Sequence, residues 1–202
     1  MKSAEKRLIK DLQKMSQEGD NGINASPDEE SLYKWTAFIE GPEHTIWEGG
    51  LFELKLVFTD EYPSKPPQVS FKSKIFHPNV YNDGRICLDI LQNQWSPIYD
   101  VWAVLTSIRS LLGDPNPNSP ANSEAAGIYS TNKNEYERRV KQVVEQSLEW
   151  SLYYFDSYFD SFRDDTVQRW ERRINNHFKS ILQEMFVDLV KKHNGVAIVF
   201  DS

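Results

Sequence analysis

The chain has only one cysteine among its 202 residues, so it cannot form an internal disulfide. No apolar stretch of signal-peptide or membrane-spanning length is present. These absences predict a protein of the reducing cytoplasm and nucleus with no membrane contact. Basic residues are also scarce: the 23 Lys and Arg residues are outnumbered by 30 Asp and Glu residues, and the net charge is −7. Direct nucleic-acid binding is therefore not expected, and the partners should be proteins.

Cofactor motifs are missing as well. The sequence has no glycine-rich phosphate loop, so no nucleotide is expected to bind. It also has no cluster with metal-ligand spacing, because its four histidines are scattered at positions 44, 77, 177 and 193. We therefore expect neither a bound cofactor nor a metal site.

Hydrophobic periodicity predicts an α+β protein in which a helix precedes an antiparallel meander and further helices follow. Helical spacing covers residues 3–17, 101–112, 121–130 and 134–150. Alternation typical of strands covers 33–39, 52–58 and 68–72. Residues 73–100 have neither period and are rich in Pro, Asn, Asp and Gly. Long irregular segments inside a compact domain usually serve a function.

The composition changes after Trp150. Aromatic residues recur at helical spacing from Tyr154 to Phe162, further apolar residues continue the stripe to Leu189, and 196–200 suggest a short strand. We therefore divide the chain into a core, 1–150, and a mainly helical extension, 151–202. The apolar stripe of the extension predicts either docking on the core, binding of a partner or self-association.

Cys87 lies in the irregular segment, three residues after the turn pair Asp83-Gly84. A lone cysteine is more often an inert buried residue than a nucleophile, but a loop position is one that another protein can reach. His77 upstream could form a protease-like pair with the thiol. Alternatively, Asn79 could supply the amide donor that an acyl-transfer oxyanion needs. We favour the second interpretation, although spacing alone leaves both open.

Two neighbouring segments resemble the active-site signature of ubiquitin-conjugating enzymes: FHPNVY at 76–81 and GRICLDIL at 84–91. Other segments match the same family in the same order, namely the glycine turns at 41–42 and 49–50, the proline loop YPSKPP at 62–67 and QWSP at 94–97. The resemblance covers residues 1–150. It implies the fold of that family, with an N-terminal helix, a four-stranded antiparallel meander, a crossover helix and C-terminal helices.

The same resemblance implies a chemistry. Cys87 would accept the C-terminal glycine of ubiquitin from an activating enzyme and pass it, usually with a ligase, to a substrate lysine. ATP would be consumed by the activating enzyme alone. One alternative is conjugation of another modifier such as SUMO, against which the uninterrupted segment 91–95 argues. The other is a non-catalytic scaffold of the same fold, but such variants lack the cysteine.

Within the family, residues 91–101 and 114–122 are most similar to the DNA-repair class. That class attaches single ubiquitin molecules to histones and to the replication sliding clamp. The resemblance therefore implies those substrates for this chain.

The resemblance also suggests roles for residues around Cys87. Asn79 would stabilise the oxyanion, although an asparagine in such a turn often bonds its own backbone, and His77 would be mainly structural. Asp89 and Ser119 would shape the environment of the acceptor lysine, with an exposed carboxylate as the alternative for Asp89. Ser119 replaces the acidic residue of many relatives. It could cap the following helix, or be phosphorylated by a proline-directed kinase.

The family places ligase docking on Arg7, on Ser64 in the proline loop, and on Trp95, Ser96 and Pro97. The alternatives are that Arg7 lies on a solvated helix face and that Trp95 belongs to the core. Because Ser64 stands where some relatives carry Phe, we expect a RING-type ligase rather than a HECT-type one.

The family also places donor-ubiquitin contact on the crossover helix. Ser110 matches a position that packs against the donor ubiquitin. Trp102 replaces a small residue of close relatives, so it would either alter this contact or fill a gap.

Overall fold

The structure is a computed structural model that describes residues 2–18, 21–118 and 120–161, with backbone alone over 149–161. The chain divides into two compact units, Met1–Leu152 and Tyr153–Ser202. The helices are α1 Ser3–Glu18, α2 Val101–Gly113, α3 Ser123–Thr131 and α4 Lys133–Ser161, with a short 3-10 helix at Asp89–Leu91. The strands are β1 Ile23–Asp28, β2 Ser31–Glu40, β3 Leu51–Val57 and β4 Gln68–Phe71.

The four strands form one sheet in the order β1-β2-β3-β4, and every neighbouring pair is antiparallel. Alternate residues of β2 and β3 are buried, as the sequence pattern predicted, and Ala37 stands opposite Leu54 in the register. The predicted meander is confirmed. The alternation of apolar and polar residues did not predict β1, because its six residues contain only two buried apolar side chains, Ile23 and Ala25.

The crossover helix α2 packs its apolar face into the core. Five of its residues are buried: Val101, Val104, Leu105, Ile108 and Leu112. Burying each such side chain contributes about 1.5–3 kcal/mol. The helix begins at the N-cap Asp100, whose carboxylate accepts from the Ala103 N–H at 2.8 Å. Lys14 of α1 forms an ion pair with the same carboxylate at 2.7 Å, so α1 and α2 are joined at this end.

The beginning of α3 differs from one prediction. Its N-cap is Asn122, whose side chain accepts from the Ala125 N–H at 3.0 Å, and α3 starts at Ser123. The interpretation of Ser119 as the cap of this helix is therefore wrong. An asparagine can cap as well as a serine, and sequence spacing did not distinguish the two positions.

The last described helix is longer than predicted. Periodicity ended it at Trp150, whereas α4 continues to Ser161. Ser147 in α4 is buried and its hydroxyl accepts from the Leu51 N–H of β3 at 3.1 Å. The apolar stripe predicted beyond residue 161 and the short strand predicted at 196–200 lie outside the described residues. Among the described helices, none combines the length and the apolar character needed to span a bilayer.

Candidate active site

The loop that carries Cys87 folds back against β4. Val80 and Ile86 pair as an isolated bridge, and Arg85 pairs with Ser70 of β4. The chain turns between Val80 and Ile86, and the Gly84 N–H closes this turn by donating to the Tyr81 carbonyl at 2.9 Å. Gly84 has φ +85°, and a Cβ there would lie 2.2 Å from the carbonyl oxygen of Phe71. Only glycine fits this turn, and the turn fixes where Cys87 emerges.

Cys87 is half-buried and free, and its backbone N–H donates to the carbonyl of Asn79 at 2.8 Å. The preceding Ile86 is 6% exposed and anchors the chain in the core. The Nε2 atom of Gln92 lies 4.0 Å from the Cys87 sulfur. The structure therefore brings Cys87 and Asn79 together and presents the thiol at the surface of a fixed loop.

Asn79 is only 2% exposed, and its side chain joins two loops. Its Nδ2 donates to the Asn116 carbonyl at 2.7 Å, while its Oδ1 accepts from the Asn116 N–H at 2.8 Å. The alternative to the oxyanion role was that the Asn79 side chain bonds the backbone of its own turn. Its two bonds to Asn116 reach the segment that follows α2, so Asn79 fixes that segment against the Cys87 loop. The oxyanion role stays a prediction.

His77 is fully buried, and both ring nitrogens are engaged. Nδ1 accepts from the Asn79 N–H at 3.0 Å, which puts the proton on Nε2, and Nε2 donates to the Leu111 carbonyl at 2.9 Å. Burial lowers the pKa of His77 to about 4. The ring is therefore neutral near pH 7 and has no nitrogen left to activate Cys87. This geometry supports the interpretation of His77 as structural.

The depressed pKa of His77 predicts an acid-sensitive fold. His77 takes up a proton near pH 6.5 in the unfolded chain but only near pH 4 in the native chain. The free energy of unfolding therefore keeps its full value above pH 6.5 and falls as the pH approaches 4. We expect wild type to lose about 3 kcal/mol of unfolding free energy between pH 7 and pH 4 through this group.

Urea unfolding at both pH values measures this loss. His77→Gln should show a smaller difference between the two pH values, while His44→Gln, which alters an exposed histidine, should match wild type. An unchanged pH difference in His77→Gln would refute the assignment.

The segment before α3 is held against the active-site loop at both ends. Asn116 is bound by Asn79, and the Pro78 carbonyl accepts from the N–H groups of Ala121 and Asn122 at 2.8 and 3.0 Å. Ser119 itself lies outside the described residues, between these two anchors. Asp89 is exposed in the 3-10 helix that follows Cys87.

Most of the residues expected to bind a ligase are exposed or half-buried. Ser64 and Pro97 are exposed, whereas Ser96 and Trp95 are half-buried. Trp95 packs against the core and donates from Nε1 to the Pro63 carbonyl at 2.8 Å. The alternative that Trp95 belongs to the core is therefore correct in part. The solvated-face alternative for Arg7 is wrong, because its side chain is 19% exposed and paired with Asp11 at 2.7 Å.

The outer face of α2 carries the residues expected near the donor ubiquitin. Ser110 is exposed and lines a shallow cleft together with Thr106, Glu40 and Glu43. Trp102, on the same helix, is half-buried and packs against the core, which favours the gap-filling interpretation.

Sequence reasoning missed two residues of this region. Asn116 contributes backbone atoms, so no side-chain pattern could reveal it. Gln92 gave no signal because an exposed glutamine is ordinary on a surface. Within residues 2–18, 21–118 and 120–161, no three His, Cys, Asp or Glu side chains are grouped to hold a metal.

Comparisons with known proteins agree with this geometry. Residues 7–144 match the ubiquitin-conjugating enzyme family. The chain is 59% identical over 141 residues to ubiquitin-conjugating enzyme E2 3 of Arabidopsis thaliana, covering 70% of this chain and 94% of that protein. It is 58% identical over 139 residues to ubiquitin-conjugating enzyme E2 1 of Caenorhabditis elegans, covering 69% and 72%. The chain therefore belongs to the ubiquitin-conjugating enzyme family, whose members take ubiquitin from an activating enzyme and transfer it, through a cysteine thioester, to protein lysines.

Proposed function

We propose that Cys87 is the residue that carries ubiquitin. The observation that supports this most is its placement: the chain's sole cysteine is half-buried on a loop whose backbone is fixed by Asn79 at 2.8 Å. In the loading step a new bond joins the Cys87 sulfur to the glycine carbonyl, and the activating enzyme's thiolate leaves. In the transfer step a lysine amine attacks that carbonyl, the C–S bond breaks, and an isopeptide bond forms while the thiol is regenerated.

The transfer step passes through a tetrahedral oxyanion, and we assign its stabilisation to Asn79. The support is proximity, since the Asn79 carbonyl holds the Cys87 N–H and its side chain lies in the same loop. Asp89 is placed in the acceptor-lysine environment, where an exposed carboxylate two residues from the sulfur can attract the ammonium group. His77 positions the loop and moves no proton.

Ser119 provides the next prediction. In our proposal, a negative charge there helps to attract and deprotonate the acceptor lysine, so Ser119→Asp should preserve lysine discharge or raise it severalfold. Single-turnover discharge of preloaded enzyme to free lysine measures this. Ser123→Asp is a matched control, since it adds the same charge at the exposed first residue of α3. A large loss of discharge in Ser119→Asp with normal loading would contradict the role.

For the substrate class, we propose monoubiquitination of histones and of the sliding clamp with a RING-type ligase, in the nucleus and cytoplasm. The support is the similarity of residues 91–101 and 114–122 to the DNA-repair class and the small side chain of Ser64. The test presents preloaded enzyme, together with a RING-type ligase that stimulates its discharge, with histone octamer, sliding clamp and an unrelated lysine-rich protein. Single-ubiquitin products confined to the first two are expected, and equal labelling of all three would contradict the class.

For the domain organisation, we propose a catalytic core of residues 1–150 and a separate extension of 151–202. The support is that the family match ends at residue 144, inside α4.

A further inference from the structure

The beginning of α3 is tied to the active-site loop by hydrogen bonds. The Pro78 carbonyl accepts from the N–H groups of Ala121 and Asn122 at 2.8 and 3.0 Å. The Asn122 side chain, which caps α3 with its Oδ1, also donates from Nδ2 to the Asn82 Oδ1 at 3.3 Å. The position of α3 therefore sets how the segment before α3 lies against the active-site loop.

The side chain of Arg139 in α4 contacts both α3 and the residue that begins the active-site signature. Its Nη1 donates to the carboxylate of Glu124, in the first turn of α3, at 2.5 Å, and its Nε donates to the carboxylate of Glu135 at 3.0 Å. Its Cζ lies 5.0 Å from the centre of the Phe76 ring. Phe76 directly precedes the buried His77. One guanidinium therefore links α3, α4 and the start of the active-site loop.

The neighbouring Arg138 makes contacts of a different kind. It donates to the two carboxylate oxygens of Glu135, each at 2.8 Å, and both partners belong to α4. Its side chain is 57% exposed, against 33% for Arg139. Within the part of the chain that the structure describes, an ion pair from α4 to α3 is made by Arg139 and not by Arg138.

We propose that Arg139 is a positioning residue for the transfer step, which holds α3 and Phe76 so that the segment before α3 keeps its place beside Cys87. The inference rests on the proposed function, in which Ser119 of that segment belongs to the environment of the acceptor lysine. A partly exposed ion pair and a cation–π contact are individually weak. Losing them should therefore loosen the segment by a few-fold and leave the domain folded.

The first test measures the hold on the segment in the free enzyme. In Arg139→Gln, amide hydrogen exchange at Ala121 and Asn122 should accelerate at least about three-fold, because their bonds to the active-site loop open more often, while exchange in β2 stays unchanged. Arg138→Gln is the matched control, since it removes the same charge and two hydrogen bonds from the same helix, and it should exchange like wild type. Unchanged exchange at Ala121 and Asn122 in Arg139→Gln would overturn the proposal.

The second test measures transfer. Single-turnover discharge of preloaded enzyme to free lysine should slow about three- to five-fold in Arg139→Gln and stay within about 1.5-fold of wild type in Arg138→Gln. Arg139→Lys keeps a cation that can face Glu124 and Phe76, so its discharge should return to within about two-fold of wild type. The two glutamine variants should have thermal unfolding midpoints within about 3 °C of each other. Equal slowing in both would assign the effect to lost charge or stability and overturn the proposal.

A double variant tests the route through α3. Glu124→Gln removes the α3 partner of Arg139, so it should slow discharge about two- to three-fold by itself. Combined with Arg139→Gln, it should slow discharge less than about 1.5-fold further, because both changes break the same link. Multiplying effects would mean that the two residues act independently, which overturns the proposal. Loading with ubiquitin is measured first for every protein, so failure of the proposed function would show there as wild type without a thioester.

Discussion

Replacing Cys87 by serine is expected to replace the reductant-sensitive ubiquitin adduct with one that resists reductant. The hydroxyl can still be acylated, but an alkoxide is a poorer leaving group than a thiolate, so the ester outlives thiol treatment. Discharge to lysine should fall at least about a thousand-fold, because the nucleophile of a covalent mechanism has been exchanged for one that no neighbouring base activates. Non-reducing and reducing gels of a loading reaction, followed by a lysine chase, measure both effects.

Cys87→Ala is the matched control for that experiment and should form no adduct of either kind. Cys87 is half-buried, so losing its sulfur should change the unfolding free energy by about 1 kcal/mol or less. Urea unfolding verifies that the variant is folded. A ubiquitin adduct that persists in Cys87→Ala and still discharges to lysine would contradict the assignment of Cys87.

Replacing Asn79 by alanine is expected to have the second largest effect. Loss of an oxyanion donor lowers transfer by about a hundred- to a thousand-fold. The same change removes the two part-buried hydrogen bonds to the N–H and C=O of Asn116, at 2.8 and 2.7 Å, each of which contributes about 0.5–1.5 kcal/mol of unfolding free energy. Single-turnover discharge and urea unfolding, measured on one preparation, give both numbers.

Asn116→Ala is the control that separates the two roles of Asn79. It keeps the backbone atoms that Asn79 binds, so stability and transfer should both stay close to wild type. If Asn79→Ala lowers stability while transfer stays within a few-fold of wild type, the oxyanion role is refuted. The amide would then serve only to hold the segment before α3.

The strong periodic signals of the sequence predicted most of the fold. The helix α2 has five buried residues at helical spacing, and β2 and β3 alternate between buried and more exposed residues. Few other types of secondary structure would produce these patterns. β1 was missed at residue level because Pro27 and a polar sequence leave it too little alternation. Its place as the first strand came from the family resemblance alone.

The candidate site was predictable in its residue types but not in its bonds. The glycine at position 84 predicted a turn, and its φ of +85° confirms that prediction. The partners of Asn79 and Arg7 were not predictable, because they are backbone groups 37 and about 90 positions away along the chain. Long-range pairing of a side chain with a carbonyl leaves no trace in residue type, which explains why a solvated helix face stood as the alternative for Arg7.

The most direct test of the account is to incubate the protein with ATP, a ubiquitin-activating enzyme and ubiquitin, and to map the product by mass spectrometry under non-reducing conditions. Parallel reactions contain SUMO or another ubiquitin-like modifier with its own activating enzyme. The account predicts one reductant-sensitive adduct, formed with ubiquitin and located on Cys87. An adduct on any other residue, or no adduct with ubiquitin, would contradict it.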